Sequence, residues 1–348
     1  MITTLAAEHN LPDSELLAVI NGGFDEELKN TADRVRREFF GDLVYIRGLI
    51  EISSICKNDC IYCGIRASNG NAARYRLTKE EILSCCKTGA ELGFSTFVLQ
   101  GGEDLYFTDD ILCDIIDSIK KISPDAAVTL SVGERSRESY KALKNAGADR
   151  YLLRHETADS GHYARLHPEG MSLDTRKRCL YALKELGYQV GSGFMVGSPY
   201  QTAENILADI RFLQEIQPDM IGIGPFVPHK DTPFGEFPHG SLELTLRLIS
   251  VLRLCFPESL LPSTTALGTI SPDGRERGLM AGANVVMPNL SPQEVRSKYN
   301  LYDNKLAIGA ESAEGLRILE EKIKSAGYTL SMSRGDSPRV LKERNKQI

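Results

Sequence analysis

From residue 44 onward, short β-branched and apolar runs alternate with longer stretches in which apolar residues recur every three to four positions. Runs of the first kind are typical of buried strands, and the second spacing is typical of amphipathic helices. The pattern predicts strands near 44–52, 96–100, 127–131, 150–155, 190–195, 220–224, 261–264 and 284–287. It predicts the intervening helices near 78–92, 108–122, 136–146, 172–187, 202–216, 241–256, 272–281 and 313–326.

Residues 1–43 lie before this alternation and are expected to form an N-terminal helical extension, with two helices between 11 and 40. The strand–helix units from 44 to 330 follow one another without a linker rich in Pro, Gly or Ser. We therefore expect one α/β domain, a (β/α)8 TIM-type barrel, with a doubly wound open sheet as the competing architecture. Residues 331–348 are expected to be a C-terminal tail.

A barrel of this kind carries its chemistry at the carboxyl ends of its strands and in the loops that follow them. The unusual residues of the sequence fall at those positions. They are three cysteines after the first strand, then Gly101-Gly102-Glu103, Ser131 to Glu134, Arg154-His155-Glu156 and Thr264-Thr265. One topology would therefore bring all of them to one face of the barrel.

The composition narrows the class of protein. The chain has 348 residues, of which 42% are hydrophobic, and a net charge of −6, so a basic nucleic-acid-binding surface is not expected. No apolar run approaches the ~18 residues that indicate a membrane span, and the first residues do not resemble a signal peptide. These features favour a soluble cytoplasmic protein with neither a nucleic acid nor a membrane as partner.

Eight cysteines are present, and they divide into two groups. Five lie in apolar helical stretches and are interpreted as core residues, because a free cysteine packs as a small hydrophobe. These are Cys85, Cys86, Cys113, Cys179 and Cys255. The other three, Cys56, Cys60 and Cys63, form a C-x3-C-x2-C loop that calls for a different explanation.

The spacing of this loop points to a metal centre. A structural zinc site needs four ligands, and no further Cys or His occurs in the twenty residues after Cys63. Three thiolates suit three corners of an iron–sulfur cube, and the fourth iron would stay open to a chelating amino acid. A zinc site and a disulfide remain the alternatives.

The loop resembles the signature of the radical S-adenosylmethionine (SAM) superfamily, which has the same spacing with an aromatic residue, here Tyr62, before the last cysteine. The resemblance implies one [4Fe–4S] cluster that reduces SAM and releases methionine and a 5′-deoxyadenosyl radical. Gly101-Gly102-Glu103 is similar to the segment of the family that meets the methionyl ammonium. By the same resemblance, the SAM-binding residues are Tyr62, Gly101, Gly102, Glu103, Ser131, Glu156 and Arg176.

The fourth predicted strand carries unusual charge for a buried element. Arg150, Leu152, Arg154 and Glu156 share one face by the period of two, whereas His155 has the opposite parity and should point away from the interior. Uncompensated buried charge is costly, so these groups need partners. They could form a structural salt-bridge cluster, or Glu156 could meet SAM while the arginines meet an anionic substrate.

Longer segments resemble the HydE family of [FeFe]-hydrogenase maturases. They are Arg150 to Ala158, Gly222 to His229, Thr264 to Thr269 and Ala281 to Pro288. The resemblance implies a role in H-cluster assembly beside HydG-type and HydF-type maturases, on a small anionic or organometallic substrate such as an iron–carbonyl–cyanide–cysteine precursor. A low-potential ferredoxin or flavodoxin would be the reductant. The substrate cavity would be lined by Gln100, Thr129, Arg150, Arg154, Met220, Thr264, Thr265, Tyr299 and Tyr302.

One departure from the family pattern concerns a second cluster. Some members hold one on C-terminal cysteines, but residues 300–330 contain no Cys and the last cysteine is Cys255, so a single cluster is expected. The alternatives within the superfamily are a mutase resembling methylornithine synthase and an enzyme resembling biotin synthase. A non-catalytic iron–sulfur or zinc scaffold is the alternative of another class.

Overall fold

The chain begins with three helices that pack against the rest of the domain. The computed structural model describes residues 1–306 and 312–345. Its first helices are α1 (Ile2–Glu8), α2 (Asp13–Asn21) and α3 (Asp25–Phe40). The two helices expected between 11 and 40 are confirmed, whereas α1, with seven residues, is too short to show a periodic pattern. Its buried Ile2 and Leu5 join the main hydrophobic core.

The strands are short and run parallel to one another. They are β1 (Leu43–Ile46), β2 (Gly48–Ser53), β3 (Thr96–Gly101), β4 (Ala127–Ser131), β5 (Arg150–Leu152), β6 (Gln189–Ser192), β7 (Met195–Val196), β8 (Met220–Ile221), β9 (Gly224–Pro225), β10 (Val285–Val286) and β11 (Thr329–Ser331). The main sheet has the order β2-β3-β4-β5-β6-β8. Smaller sheets have the orders β10-β1-β11 and β7-β9.

Three of the predicted strands are each divided in two, near 44–52, 190–195 and 220–224. Gly193 explains the second division, because a Cβ on it would lie 2.0 Å from the carbonyl oxygen of Gly222 and its φ is +150°. The predicted strand at 261–264 is not formed as such. Around it, single parallel bridges pair Met220 with Leu260 and Pro262 with Val285.

Helices alternate with these strands and cover the sheet. They are α4 (Lys79–Glu91), α5 (Asp109–Ile122), α6 (Arg137–Asn145), α7 (Ser160–Leu166), α8 (Leu173–Glu185), α9 (Ala203–Ile216), α10 (Leu242–Cys255), α11 (Thr265–Ile270), α12 (Gly274–Met280), α13 (Gln293–Arg296), α14 (Leu316–Ser325) and α15 (Pro338–Asn345). All eight predicted helices are present within two residues of their expected bounds, the last one beginning as a 3-10 turn at Ala313–Gly315. None of the helices in 1–306 and 312–345 combines the length and apolar composition that crossing a bilayer requires.

The segment after β11 closes the amino-terminal ends of the strands. Asp336 accepts hydrogen bonds from Arg150, at 2.7 Å, and from Gln189, at 2.7 Å, which are the first residues of β5 and β6. Arg334 pairs with Asp149 at 2.5 Å and with Asp336 at 2.9 Å. Residues 334–337, although within the expected tail, are therefore packed against the amino-terminal ends of these strands.

The contacts of Arg150 contradict the expectation that it lines the substrate cavity. Its guanidinium is fully buried and donates to Gln189, Thr96, Asp336 and the carbonyl oxygens of residues 334 and 335. Because residue 150 begins its strand, the side chain lies at the opposite end of the sheet from the cysteine loop. Arg150 thus belongs to a structural ion-pair cluster rather than to the set of substrate contacts.

Candidate cluster and cofactor site

The cysteine loop follows β2 and rests on the loop that follows β3. The backbone N–H of Glu103 donates to the Cys56 sulfur at 3.3 Å, and the N–H of Lys57 donates to the Glu103 carbonyl at 3.0 Å. A Cβ at Gly102 would lie 2.2 Å from the carbonyl oxygen of Ile55, so only glycine permits this approach. The expected cluster loop and the expected Gly-Gly-Glu segment are therefore in direct contact.

Cys56, Cys60 and Cys63 are all free and partly exposed. Burial raises the pKa of all three thiols, that of Cys63 to about 12; the charges of Cys63 and Cys56 further raise the pKa of Cys60, and that of Cys56 further raises the pKa of Cys63. In the described residues no three Cys, His, Asp or Glu side chains converge on one ion. Three thiolates are a donor set that fits an iron–sulfur cube, in which each thiolate would bind a different iron.

Glu103 connects the first three loops of the site. Its Oε1 accepts from the backbone N–H of Glu134 at 3.0 Å, and its Oε2 lies 3.2 Å from the Lys57 ammonium. Ser131 ends β4 and is paired in register with Gln100 of β3. The carboxylate of Glu103 is thus held beside the cysteine loop by groups from both flanking loops.

Arg176, near the start of α8, links the third and fourth loops. It donates to Glu134 at 2.5 Å and to the carbonyl oxygen of Arg154 at 2.7 Å. Burial lowers the pKa of Arg176, but Tyr163 and Glu134 raise it by more, so the guanidinium stays charged.

Tyr62 packs among Leu166, Met195, Phe226 and Phe234, with its ring edge-on to His167 at 5.8 Å.

The turn after β5 has an unusual backbone. Glu156 has φ +66°, in the left-handed region that a residue with a side chain rarely adopts. Its N–H donates to the Gly193 carbonyl at 3.1 Å, and its carbonyl accepts from Met195 at 3.4 Å. Its carboxylate lies 3.0 Å from the Arg154 guanidinium. Such strain often marks a functional site and persists only where the surroundings hold it.

Behind this turn, His155 and Asp209 form a buried pair. Ser192 donates to the Leu153 carbonyl at 3.1 Å, so the His155 Nδ1–H must donate to the Ser192 oxygen at 2.9 Å. The other ring nitrogen then faces Asp209 at 3.3 Å. Burial lowers the pKa of His155 to about 3 and raises the pKa of Asp209, which favours a neutral pair with the proton on Asp209. His155 points away from the interior, as its parity indicated.

Asp209→Ala is expected to loosen the Glu156 turn. The Asp209 carboxyl accepts from the Ala158 N–H at 2.5 Å, and its loss leaves a buried donor unpaired, at a cost of about 1–3 kcal/mol. The matched variant Asp209→Asn keeps an oxygen acceptor and should behave almost as the wild type. Urea unfolding of both variants checks this difference, and equal stability of Asp209→Ala and the wild type would contradict it.

Several buried polar atoms inside the sheet lack a hydrogen-bond partner in the part of the chain that the structure describes. They belong to residues from β1–β2, β4, the β5 loop and the start of α11: Arg47, Thr129, Arg154 and Thr264. Buried polar groups are normally paired, so such atoms indicate where a ligand or water binds. Three of the four were expected at the substrate cavity from the sequence.

Arg47 is the residue that the sequence analysis missed. It lies between β1 and β2, and the only hydrogen bond of its side chain among the described residues is donated to the Met220 sulfur at 2.9 Å. Burial lowers its pKa well below the usual value, which is the signature of a cation without enough partners. No local pattern singles it out, because its burial results from strands that are distant in sequence.

A second group of residues that the sequence did not single out surrounds Glu51 of β2. Glu51 is fully buried in β2, and its carboxylate accepts from Asn289 at 2.8 Å and from Lys305 at 2.5 Å. The Lys305 ammonium also lies 5.0 Å from the ring of Tyr299, whose hydroxyl accepts from Gln100 at 3.4 Å. Thr265 begins α11, and Tyr302 is half-buried in the segment with Tyr299. Tyr299, one of the two expected tyrosines, is thus next to an ion pair.

Comparison with known proteins is consistent with this arrangement. The model of the radical SAM superfamily matches residues 50–213. The [FeFe] hydrogenase maturase subunit HydE of Thermotoga maritima is 44% identical over 327 residues, covering 94% of this chain and 93% of that protein. The 3-methylornithine synthase of Methanosarcina acetivorans is 31% identical, covering 83% of each chain. The crystal structure of a methylornithine synthase superposes with a TM-score of 0.83 at 28% identity, covering 95% of this chain and 97% of that one.

The parallel α/β fold, the cysteine loop and these similarities define an enzyme of the radical SAM class. Identity of 44% extends over nearly the whole length of both chains, well beyond the 50–213 segment that the superfamily shares. The chain therefore belongs to the radical SAM superfamily and, within it, to the HydE family of [FeFe]-hydrogenase maturases.

Proposed function

We propose that this chain acts in the cytoplasm in assembly of the [FeFe]-hydrogenase H-cluster, with one [4Fe–4S] cluster on Cys56, Cys60 and Cys63. The observation that carries the proposal is the cysteine loop resting on Gly102 and Glu103, with unpaired buried polar atoms on the neighbouring strands and loops. Free, reduced cysteines also fit a reducing compartment. Three thiolates in one loop are donors that suit a cluster.

When bound, the cluster and SAM would supply a reductive cleavage that yields a carbon radical. The chain's own residues would bind and orient SAM around it. Glu103 offers a carboxylate to an ammonium group, and Arg176 keeps Glu134 and the Arg154 backbone in place. Tyr62 offers an apolar surface, Ser131 and Glu156 offer oxygens, and the apolar packing around Tyr62 excludes water.

We infer that the substrate is a small anionic or organometallic compound held inside a closed barrel. Arg154 and Arg47 present guanidinium groups, and Thr129 and Thr264 present hydroxyls, all with unpaired atoms. Guanidinium forks suit anions, and an iron–carbonyl–cyanide–cysteine precursor carries such groups. Single bridges between Met220 and Leu260, Pro262 and Val285, and Leu49 and Asn289 support closure of the sheet.

Arg154→Ala is expected to impair substrate turnover while leaving the cluster intact. The Arg154 side chain is 30% exposed and, among the described acids, pairs only with Glu156. Its loss therefore removes a hydrogen-bond donor from the proposed substrate site and leaves the ion pair of Arg150 with Asp336 intact. Turnover should fall by about 10-fold or more, the cost of about 1.4 kcal/mol in a charge-assisted contact. Iron content and substrate turnover are measured on one sample. Loss of soluble protein would instead assign Arg154 a structural role.

The direct test of the proposed function is hydrogenase activation. The purified chain is combined with HydG-type and HydF-type maturases, apo-hydrogenase, SAM and a reduced ferredoxin or flavodoxin. Hydrogen evolution that depends on this chain supports the proposal. Activation that is equal without the chain would contradict it.

A mutase activity like that of methylornithine synthase is the second candidate, favoured by the similarity of fold and sequence. The two functions would share the SAM site and differ in the contents of the cavity. Mass spectrometry for 3-methylornithine after incubation with amino acids separates them. Its formation, together with failure to activate hydrogenase, would favour the mutase.

A further inference from the structure

Arg74, which follows the cysteine loop in the chain, ties the two ends of that loop together. One of its terminal nitrogens donates to the carbonyl oxygen of Ser54 at 2.7 Å and to that of Ile65 at 2.8 Å. These two residues lie on either side of the segment from Cys56 to Cys63. A single guanidinium nitrogen therefore spans the whole cysteine segment.

The other terminal nitrogen of Arg74 holds the residues that follow the last cysteine. It donates to the carbonyl oxygens of Arg66 at 2.6 Å and of Asn69 at 3.2 Å. Ser54, Ile65 and Asn69 are buried, so leaving their carbonyl groups without a donor is costly. A guanidinium carries several donors in a rigid fork, whereas a lysine ammonium is a single point charge that cannot reach four separate acceptors.

The backbone at Arg74 is anchored to the main sheet rather than to the loop that its side chain holds. The Ser54 N–H donates to the Tyr75 carbonyl at 3.1 Å, and the Tyr75 N–H donates to the Ser54 hydroxyl at 2.9 Å. An antiparallel bridge joins Ser53, the last residue of β2, to Arg76. The side chain of Arg74 therefore extends over the loop from a fixed position.

A second arginine holds the middle of the cysteine segment by different contacts. Asp59 accepts from both arms of Arg66, at 2.8 Å and 2.5 Å, and from the Ser68 hydroxyl at 2.8 Å. The Ala67 N–H donates to the Asn58 carbonyl at 2.8 Å. Because none of these bonds uses the Arg74 side chain, a substitution at Arg74 frees the two ends of the segment and leaves its middle folded.

The positive charge of Arg74 also acts on two of the cysteine sulfurs. Burial raises the pKa of Cys56 and of Cys63, and the charge of Arg74 opposes this rise at both. The acids that act in the opposite sense, Glu103 on Cys56 and Glu156 on Cys63, are each paired with a base of their own. A cluster on these thiolates becomes more negative when it takes up an electron, and a nearby cation favours that state.

We propose that Arg74 is a positioning residue for the cluster, which fixes both ends of the cysteine segment and favours the cluster after it has gained one electron. The proposal rests on the proposed function, because it requires a cluster on the three cysteines. In the test below dithionite gives up the electron and is oxidised, the cluster is reduced by one electron, and no bond of the protein is formed or broken.

The test uses two substitutions in the cluster-loaded full chain. Arg74→Met removes the fork and the charge, whereas Arg74→Lys removes the fork and keeps the charge. The matched control is Arg211→Met, because Arg211 on α9 also donates to a carbonyl oxygen, that of Leu11 at 2.6 Å, and to Asp13 at 2.6 Å. Two quantities are measured without SAM: the rate of iron loss to a ferrous chelator, and the midpoint potential from a dithionite titration followed by EPR.

We expect both Arg74 variants to lose iron about 10-fold faster than the wild type or more, since outer-shell partners of metal sites contribute about 10–100-fold. In Arg74→Met the reduction equilibrium should also shift about tenfold against the reduced cluster, which is about 59 mV for a one-electron couple. Arg74→Lys should keep the wild-type potential. The Arg211→Met control should match the wild type in both measurements.

Iron loss at the wild-type rate in the Arg74 variants would overturn the proposal, and so would an unchanged potential in Arg74→Met. Equal effects in Arg211→Met would overturn it as well, since the loss of any arginine with several hydrogen bonds would then suffice. Failure of the wild type to cleave SAM with dithionite would overturn the proposed function instead. Because neither measurement uses SAM, they decide on Arg74 separately from that outcome.

Discussion

Cys60→Ala is expected to abolish cluster assembly and SAM cleavage together. Cys60 lies between the other two cysteines of the loop, and its sulfur is close enough to both for their charges to raise its pKa. With two thiolates left, two irons of a cube would lack a protein ligand. The loss should exceed the ~10–100-fold effect of removing an outer-shell partner of a metal site.

The measurement for Cys60→Ala is iron content together with 5′-deoxyadenosine formation on the same anaerobic sample. Cys113→Ala is the matched control, because Cys113 is also free and partly exposed but lies on α5, away from the loop. The control should keep the iron content of the wild type. A Cys60→Ala protein that retains full iron and activity would show that the loop does not hold the cluster.

Asp336→Ala is expected to cause the largest loss of stability. Asp336 pairs at 2.7 Å with Arg150, whose side chain is completely buried. Removing one partner of a buried ion pair leaves an uncompensated charge and costs about 3–5 kcal/mol. Urea unfolding measures this loss. Asp125→Ala, at an exposed position nearby in the fold, should stay within about 0.5 kcal/mol of the wild type.

The contribution of Asp336 to the stability of the folded state should decrease at low pH. Burial alone would raise its pKa, but the charge of Arg150 outweighs burial and holds the pKa well below the ordinary value. A depressed carboxyl pKa stabilises the folded state above the unfolded pKa of about 3.9, and this contribution is lost as pH falls further. The stability difference between wild type and Asp336→Ala should therefore shrink below about pH 4. A difference that grows there would contradict the ion pair.

The helices were the most predictable part of the fold. Each of the eight predicted ones carries an apolar stripe at helical spacing, and local caps mark the ends, as with Thr78 and Glu81 at the start of α4. The strands were less predictable because several contain only two or three residues. Their bounds depend on close approaches between distant segments, such as that of Gly193 to Gly222.

The cysteine loop could be predicted because its three cysteines lie within eight residues of each other. The long-range groups could not. Arg150 meets Asp336, which is 186 residues away, and Glu51 meets Lys305, which is 254 residues away. The strand pattern correctly indicated that Arg150 faces inward, but it could not show which end of the sheet would be closed by the C-terminal segment.

The central claim is that the cysteine loop makes this chain a radical SAM enzyme, and SAM cleavage tests it most directly. The protein is reconstituted anaerobically with iron and sulfide, reduced with dithionite and incubated with SAM, and 5′-deoxyadenosine is measured by mass. We predict about four irons per chain, an EPR signal that changes when SAM is added, and formation of 5′-deoxyadenosine. Stoichiometric zinc with no 5′-deoxyadenosine would contradict the account and would make the loop a structural metal site.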